Sequence, residues 1–375
     1  MRIRALAVGA ALTVVAAPLF RPAAAQRWGQ QGVTVFQAES GVSAGGYGVN
    51  NSGQFAAYVN GVAGLFTPGA GTASLGTLGG SSSAGLAVNN AGQVTGYSDI
   101  TGDGAQRAFV TTNGGVMHDL GTLGGSFSIG NGINSSGQVV GYSTTSGDAT
   151  NRAFVTTAGG VMQDLGTLGG ADSYGFGIND AGQSVGWSST ADNYQPRAFM
   201  SSGGVMQDLG TLGGPVSVAL GINSSGQVVG WSTTGDAALR AFVTFGGVMQ
   251  ELGAFGSLYS YAIQVSDAGE IVGDARDASN TPFGALWEAS DTGYTAYSFD
   301  SIINQGANSG WTMQNVLGIS QDGRFVDGYA SNSISGYSGY VVLEENVTAT
   351  PEPASLVLLA TGLLGMASVV RRKRA

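Results

Sequence analysis

A serine in a Gly-x-Ser-x-Gly string is the first candidate for chemistry in this sequence. Ser43 lies in GVSAG, the pattern of a hydrolase nucleophile that would need a histidine base. The only histidine, His118, stands where the related strings carry glutamine. A chance match is expected in a chain with 65 glycines, and GVSAG aligns with a linking segment rather than a strand-to-helix turn. The sequence therefore predicts no catalytic residue.

Aspartates recur in the loops after the strings GYS and GWS, where a hard cation could bind. They are Asp99, Asp103, Asp148, Asp192 and Asp236, with Asp274 and Asp277 near the same place in a divergent unit. A Ca²⁺ site needs several converging oxygens, and no loop has the dense alternating carboxylates of an EF-hand. Aspartate side chains also cap turns. We therefore predict turn capping, with no metal and no cofactor site.

One position of the same strings carries an aromatic ring. The rings belong to Tyr97, Tyr142, Trp187 and Trp231. Such rings can stack on sugars, and they also pack well between neighbouring structural units. Packing is the favoured interpretation, and sugar binding is the alternative.

Another repeated position carries arginine. The residues are Arg107, Arg152, Arg197 and Arg240. Guanidinium groups pair strongly with carboxylates, so we expect pairing with acidic neighbours such as Asp119, Asp164 or Asp208.

The composition excludes several classes of function. The chain has no cysteine and one histidine, which rules out zinc sites and disulfide frameworks. Between Gln26 and Thr350 there are seven arginines, no lysine and 23 carboxylates, a net charge of −16. A nucleic-acid partner would need the opposite sign.

Internal repeats indicate the architecture. The string DLGTLGG starts at Asp119, Asp164 and Asp208, with weaker copies at Ser74 and Glu251, in steps of 43 to 45 residues. Strings like INSSGQVVGYS have seven starts, at Val49, Val88, Ile133, Ile178, Ile222, Val265 and Ile319. Repeats of this period are typical of solenoids and propellers.

Each repeat reads as a meander of four short strands. Runs of β-formers are bounded by turn residues, such as Asn134 to Gly137 and Ala158 to Gly160. Seven such units predict an all-β, seven-bladed β-propeller of four-stranded blades, with a β-solenoid as the alternative. The last unit lacks its fourth strand, and residues 32–37 could supply it by pairing near Tyr340 to Glu345. That pairing would close the ring and remove the open edge.

Both ends of the chain read as membrane signals. Residues 1–25 have a basic start, an apolar run and an Ala-x-Ala site, which predicts a cleaved signal peptide. Residues 26–346 would form the propeller, and residues 347–353 a linker containing Pro-Glu-Pro. In residues 354–375, 17 uncharged residues precede RRKR, which predicts a single membrane helix with its basic end in the cytoplasm.

The repeats resemble the HAF family of extracellular repeats, with arginine in place of the histidine of that family's name. The tail resembles the PEP-CTERM sorting signal, on the residues Pro351, Glu352, Pro353, Arg371, Arg372, Lys373 and Arg374. The resemblance implies export in a Gram-negative bacterium and handling by an exosortase-type membrane protease.

These observations predict an exported, non-enzymatic protein of the cell surface or extracellular matrix. The precursor would be anchored in the inner membrane, and the mature form would be at the cell surface or extracellular, with exopolysaccharide as a candidate partner. A secreted hydrolase or lyase that uses the central funnel of the propeller is the alternative.

Overall fold

The computed structural model describes residue 28 and residues 33–112, 115–191, 195–253, 255–290, 293–304 and 310–345. These residues form seven antiparallel sheets of four strands, numbered here as blades 1 to 7. The all-β, seven-bladed, four-stranded architecture predicted from the repeats is confirmed. The predicted signal peptide, the Pro-Glu-Pro linker and the C-terminal helix lie outside the described residues.

The strands follow one another along the chain in blade order. Strand β1 (Val33–Gln37) comes first. Blade 1 has β2 (Val42–Val49), β3 (Phe55–Val59), β4 (Val62–Thr67) and β5 (Gly71–Gly76). Blade 2 has β6 (Gly79–Val88), β7 (Val94–Ile100), β8 (Gln106–Thr111) and β9 (Met117–Asp119). Blade 3 has β10 (Gly124–Ile133), β11 (Val139–Thr145), β12 (Asn151–Thr156) and β13 (Met162–Asp164).

The later blades continue in the same order. Blade 4 has β14 (Gly169–Ile178), β15 (Ser184–Thr190), β16 (Pro196–Ser202) and β17 (Val205–Asp208). Blade 5 has β18 (Gly213–Ile222), β19 (Val228–Thr234), β20 (Leu239–Phe245) and β21 (Val248–Glu251). Blade 6 has β22 (Ser260–Val265), β23 (Ile271–Arg276), β24 (Pro282–Ser290) and β25 (Gly293–Ser298). Blade 7 has β26 (Trp311–Ile319), β27 (Phe325–Asn332) and β28 (Ser338–Glu345).

Strand β1 completes blade 7. It pairs antiparallel with β28, from Val33 opposite Glu345 to Gln37 opposite Val341. Blade 7 also packs on blade 1, through contacts of β26, β27 and β28 with β2. The predicted closure is confirmed, and the solenoid alternative is wrong because the first and last blades touch.

The turn between the first two strands of each blade fixes one side of the ring, which we name the asparagine side. In blade 3 the N–H of Gly137 donates to the carbonyl of Asn134, and Gly137 has a φ of 79°. A positive φ costs glycine little. The links between blades lie on the opposite side, which we name the link side.

A glycine precedes the aromatic ring of the second strand because the first strand passes close to it. A Cβ on Gly186 would lie 1.9 Å from the carbonyl oxygen of Tyr174, and one on Gly141 would lie 1.9 Å from that of Ile129. No side chain fits at such a separation. The core of each blade lies further out, where Phe109, Phe154, Phe199 and Phe242 are 0% exposed.

Three local features differ from the sequence-based expectation. The segment GTLGGSFS, whose glycines and serines favour a link between blades, already enters the innermost strand at Gly124. A short helix, α1 (Phe299–Ile303), was not expected, and it packs with Trp28 in the core next to blade 7. A 3-10 turn occupies Ser146–Asp148. No helix within the described ranges is long and apolar enough to cross a membrane.

Candidate functional site

The two candidates for hydrolytic chemistry lie on different blades. Ser43 is on the innermost strand of blade 1, opposite Tyr58, and it is followed by more strand rather than by a helix. His118 is exposed on the outermost strand of blade 2, opposite Val110. An innermost and an outermost strand cannot bring these side chains into one triad. The prediction that neither is catalytic stays a prediction, and this separation supports it.

Three of the aspartates accept hydrogen bonds from backbone N–H groups, and one of them, Asp277, caps a turn in the way predicted. Asp103 and Asp148 accept from the N–H groups of Ser81 and Ser126, each at 2.7 Å, and so hold the start of the innermost strand. Hydrogen bonds from Thr144 and Ser126 lower the pKa of Asp148. Asp277 accepts from the N–H groups two and four residues ahead. Within the described ranges no three acidic or histidine side chains converge, and Asp192 lies outside them.

Two of these aspartates lie in strands. Asp99, which was assigned to a loop, is in β7, and Asp274 is in β23, at the position that holds the aromatic ring in other blades. The carboxylate of Asp274 accepts from the N–H of Val316 at 2.9 Å, across the junction of blades 6 and 7. Burial raises the pKa of Asp274 to about 6. The residue caps a bulged strand of the next blade rather than a turn.

The repeated arginines behave differently from expectation. Only Arg240 pairs with the acidic residue of its own blade, with Nε 3.2 Å from a carboxylate oxygen of Glu251. The Nε atoms of three others are buried without a hydrogen-bond partner in the described part of the chain, at Arg107, Arg152 and Arg197. Their expected partners instead accept from glycine N–H groups, as Asp164 does from Gly166 at 2.7 Å.

The aromatic position is occupied in six of the seven blades. In blade 6 the position is held by Asp274. The aromatic residues are Tyr58, Tyr97, Tyr142, Trp187, Trp231 and Tyr329. All six rings are half-buried or exposed, in contrast with the fully buried phenylalanines of the blade cores. The rings at this position are therefore less buried than the blade cores.

The rings of blades 3 to 5 touch further rings on innermost strands. We name this set, together with Tyr97 of blade 2, the aromatic belt, and it consists of Tyr97, Tyr142, Trp187, Trp231, Phe127, Tyr174 and Tyr261. The centroid of Tyr142 lies 5.8 Å from Phe127 in its own blade and 4.6 Å from Tyr174 in the next. Tyr174 in turn stacks on Trp187 at 4.4 Å and 23°. Trp231 meets Tyr261 of blade 6 edge-on at 6.0 Å.

The first-strand members of the belt were missed by sequence reasoning. Phe127, Tyr174 and Tyr261 lie at positions that vary between repeats, so no string marks them. The sequence did contain one signal, which was the spacing from the end of the strand. Tyr174 and Tyr261 each stand four residues before the last residue of the first strand. That register becomes meaningful only once neighbouring blades are known to pack.

The polar tips of the belt are partly exposed, and burial raises the pKa of the Tyr142 and Tyr174 hydroxyls. The indole N–H groups of Trp187 and Trp231 and the hydroxyls of Tyr142 and Tyr174 have no hydrogen-bond partner among the described residues, and none is a buried unpartnered atom. The core ring of Trp287 behaves otherwise, since its N–H donates to the carbonyl of Gly253 at 2.8 Å. The belt therefore offers free donors beside apolar faces.

A central cavity of about 180 Å³ opens further along the same innermost strands. Its wall includes Leu86, Asn131, Phe176, Leu220 and Ile263. The Asn131 side chain is tied down, because it donates to the carbonyl of Gly175 at 2.8 Å. No acidic, basic or histidine side chain is among the described residues of this wall. The cavity therefore lacks a described group for acid–base chemistry.

The belt lies on the link side of this cavity. The innermost strands run from the links to the asparagine turns, and the belt residues Phe127 and Tyr174 precede the wall residues Asn131 and Phe176. The belt therefore lies nearer the links and the cavity nearer the asparagine turns, and we name the space enclosed by the innermost strands the central passage.

Comparison with known proteins identifies the tail. Residues 349–374 match the family described as the PEP-CTERM protein-sorting motif. The chain thus carries this sorting motif at its C-terminus, on the residues predicted from Pro351 to Arg374, although they lie outside the described ranges. No curated protein matches the chain.

Several solved structures are similar to this chain at low identity. TolB from Acinetobacter baumannii is 13% identical, with a TM-score of 0.42, over 64% of this chain and 57% of that protein. A putative TolB from Agrobacterium tumefaciens is 11% identical, with a TM-score of 0.43, over 59% of this chain and 87% of that one. A mutant of AofleA from Arthrobotrys oligospora is 11% identical, with a TM-score of 0.34, over 67% and 79% of the two chains. Likeness at this level carries no functional inference here.

Proposed function

We propose that this chain is an exported, non-enzymatic β-propeller of the cell surface or extracellular matrix, released to its destination by an exosortase-type membrane protease. The observation that carries the proposal is the match of residues 349–374 to the PEP-CTERM protein-sorting motif. The signal peptide predicted at residues 1–25 fits the same route.

In this proposal the tail is a temporary anchor. The run of 17 uncharged residues is about 25 Å long as a helix, just enough to hold a precursor across a thin bilayer. Residues 371–374 would keep the basic end in the cytoplasm. Pro351 and Pro353 disfavour helix in the residues before them, so the chain just outside the membrane would stay extended for a protease.

The absence of catalysis is supported by the central passage. Hydrolases and lyases need positioned acids, bases or metals. The described wall of the cavity has no titratable side chain, and no three acidic or histidine side chains converge within the described ranges. A hydrolase in the funnel would need carboxylates that converge on one point, and the arrangement of the described residues favours a binding role instead.

Mass spectrometry of the mature protein from its native host tests the sorting proposal. We expect a C-terminus near Pro351 to Pro353, and we expect Pro351→Ala combined with Pro353→Ala to leave a full-length form in the inner membrane. Recovery of intact RRKRA ends on most mature molecules would contradict the proposal. Release of reducing ends from polysaccharides by the purified protein would contradict its non-enzymatic part.

A further inference from the structure

We infer that the aromatic belt binds a neutral polysaccharide on the link side of the central passage. The inference rests on the proposed role at the cell surface, and it adds the chemical class of the partner and the residues that contact it. The observation behind it is a contrast between two sets of aromatic rings, one fully buried and one half-exposed, within the same blades.

The first step is that the blades have a fully buried aromatic core apart from the belt. Inter-blade packing is served by Phe109, Phe154, Phe199 and Phe242, which are 0% exposed and recur at one position of the third strand. The belt rings are additional to this core, and they keep part of their surface in solvent at every blade. Exposing a large apolar ring to water costs free energy, and a bound ligand that covers the ring would remove that cost.

The second step is the chemistry of the exposed parts. Trp187 and Trp231 each present an apolar face and an indole N–H without a described partner, and Tyr142 and Tyr174 each present a free hydroxyl. Flat rings match the apolar faces of hexose rings, while the donors match sugar hydroxyls. Sites for small polar ligands commonly combine apolar walls with a few such polar groups.

The third step is the extent of the belt. Phe127, Tyr142, Tyr174 and Trp187 form one continuous chain of ring contacts across blades 3 and 4. Trp231 and Tyr261 form a second group across blades 5 and 6. A single sugar would cover one ring contact, whereas a polymer can engage several successive rings.

The fourth step is charge. The region from Gln26 to Thr350 carries a net charge of −16, which repels polyuronates and sulfated polymers. A carboxylate also lies beside the belt. Burial raises the pKa of Tyr174, and the negative charge of the neighbouring Asp172 raises it further. The repeated arginines do not offset this negative charge. Arg152 is opposite Ser143, which is next to Tyr142 in the strand, so Arg152 and Tyr142 point to opposite faces of the sheet. A neutral polymer is therefore the favoured class.

The test uses residues 26–350, which include every strand of the closed ring. Its affinity for dextran, mannan and galactan is measured by affinity electrophoresis and calorimetry, with polygalacturonate as the charged comparison. We expect binding to a neutral polymer, and we expect Trp187→Ala and Tyr142→Ala each to weaken it about tenfold. Phe245→Ala is the matched control, because Phe245 is a 41% exposed ring outside the belt.

Folding and binding are read separately. Each variant is checked by thermal melting, and Trp187→Phe keeps a flat ring at this position while it removes the indole N–H. Tryptophan emission of the wild type should change on polymer addition, and the change should be smaller in Trp187→Phe.

Three outcomes would overturn the inference. Equal binding by wild type and belt variants would overturn the inference, and so would binding to polygalacturonate alone or to none of the four polymers. These results would leave the sorting proposal standing, since that proposal is judged by the C-terminus of the mature protein.

Discussion

Blades 1 to 5 are each joined to the next blade by a repeated asparagine, whereas blade 7 packs on blade 1 through aromatic rings, one of which bonds to a buried carboxyl of its own blade. Asn134 is 1% exposed, and its amide nitrogen donates to the carbonyl of Asn179 in the next blade at 3.2 Å. In blade 7 a serine, Ser320, stands at this position. There Tyr340 packs 4.3 Å from Phe55 of blade 1, and its hydroxyl donates to Asp327.

The difference shows which contacts between blades a sequence repeat can supply. The repeated bond needs an asparagine in one blade but only a backbone carbonyl in the next, so Asn223 still bonds to the carbonyl of Ser266 in the divergent blade 6. At the closure the two sides come from opposite ends of the chain, so the repeated bond is replaced by residues specific to that junction. The comparison of these two regions can be tested by mutation.

Removal of strand β1 should have the largest effect. A chain that begins at Ala38 loses five ladder pairings with β28 and the buried side chains of Val33 and Trp28. We expect a loss of about 6 kcal/mol in the free energy of unfolding, relative to a chain that begins at Gln26. Thermal and urea unfolding measure it, with the exposed Gln37→Ala as control. An unchanged melting curve would mean that closure by β1 does not stabilise the ring.

The buried carboxyl of blade 7 should make the closure sensitive to pH. Burial raises the pKa of Asp327 to about 7 from an ordinary value of 3.8, so between these values the folded protein binds more protons than the unfolded chain. The contribution of this group to stability should therefore be highest below pH 4 and should be lost as pH rises through 7, by about 4 kcal/mol in total.

Asp327→Asn should remove most of this decline between pH 5 and pH 8, as measured by urea unfolding at each pH. The control is Asp148→Asn in blade 3, because the pKa of Asp148 is lowered by hydrogen bonds and its own pH dependence lies in the acid range. An equal slope in wild type and Asp327→Asn would show that Asp327 is not the responsible group.

Truncation of a repeated asparagine should have an intermediate effect. Asn134 accepts from the N–H of Gln138 at 2.9 Å and also bonds to blade 4, so Asn134→Ala should cost about 2 kcal/mol. The corresponding Ser320→Ala in blade 7 should cost about 1 kcal/mol, since the Ser320 hydroxyl bonds only within its own turn. Chemical denaturation of both variants checks the order, and the reverse order would contradict the role given to the asparagine.

The smallest effect is expected at the ion pair of blade 5. Glu251 is 46% exposed where it meets Arg240, so Glu251→Gln should change stability by less than about 1 kcal/mol. Glu344→Gln in blade 7 should behave alike, because Arg324 is 40% exposed at that pair. High salt should shrink both differences, and a larger loss in either variant would indicate a pair more shielded from water than these exposures suggest.

Much of the fold could be predicted because the repeats are short and their turns are local. The strings around Asn134 and Ala158 indicated both hairpins, and the missing strand of the last unit indicated the role of residues 33–37. The pairing of Arg107 or Arg152 with an acidic neighbour was expected but is absent in the described structure. Competing glycine N–H donors satisfy Asp119 and Asp164 first.

By itself the sequence determined the number of blades, the order of strands within a blade, the closing strand and the sorting motif. Each of these depends on contacts within about 45 residues or on the ends of the chain. Only the tertiary structure decided that the rings at Tyr142 and Trp187 stay half-exposed while Phe154 is buried, and that Asp274 and Asp327 are desolvated. Exposure and burial depend on how one blade lies against the next, and the period of a repeat contains no information about that packing.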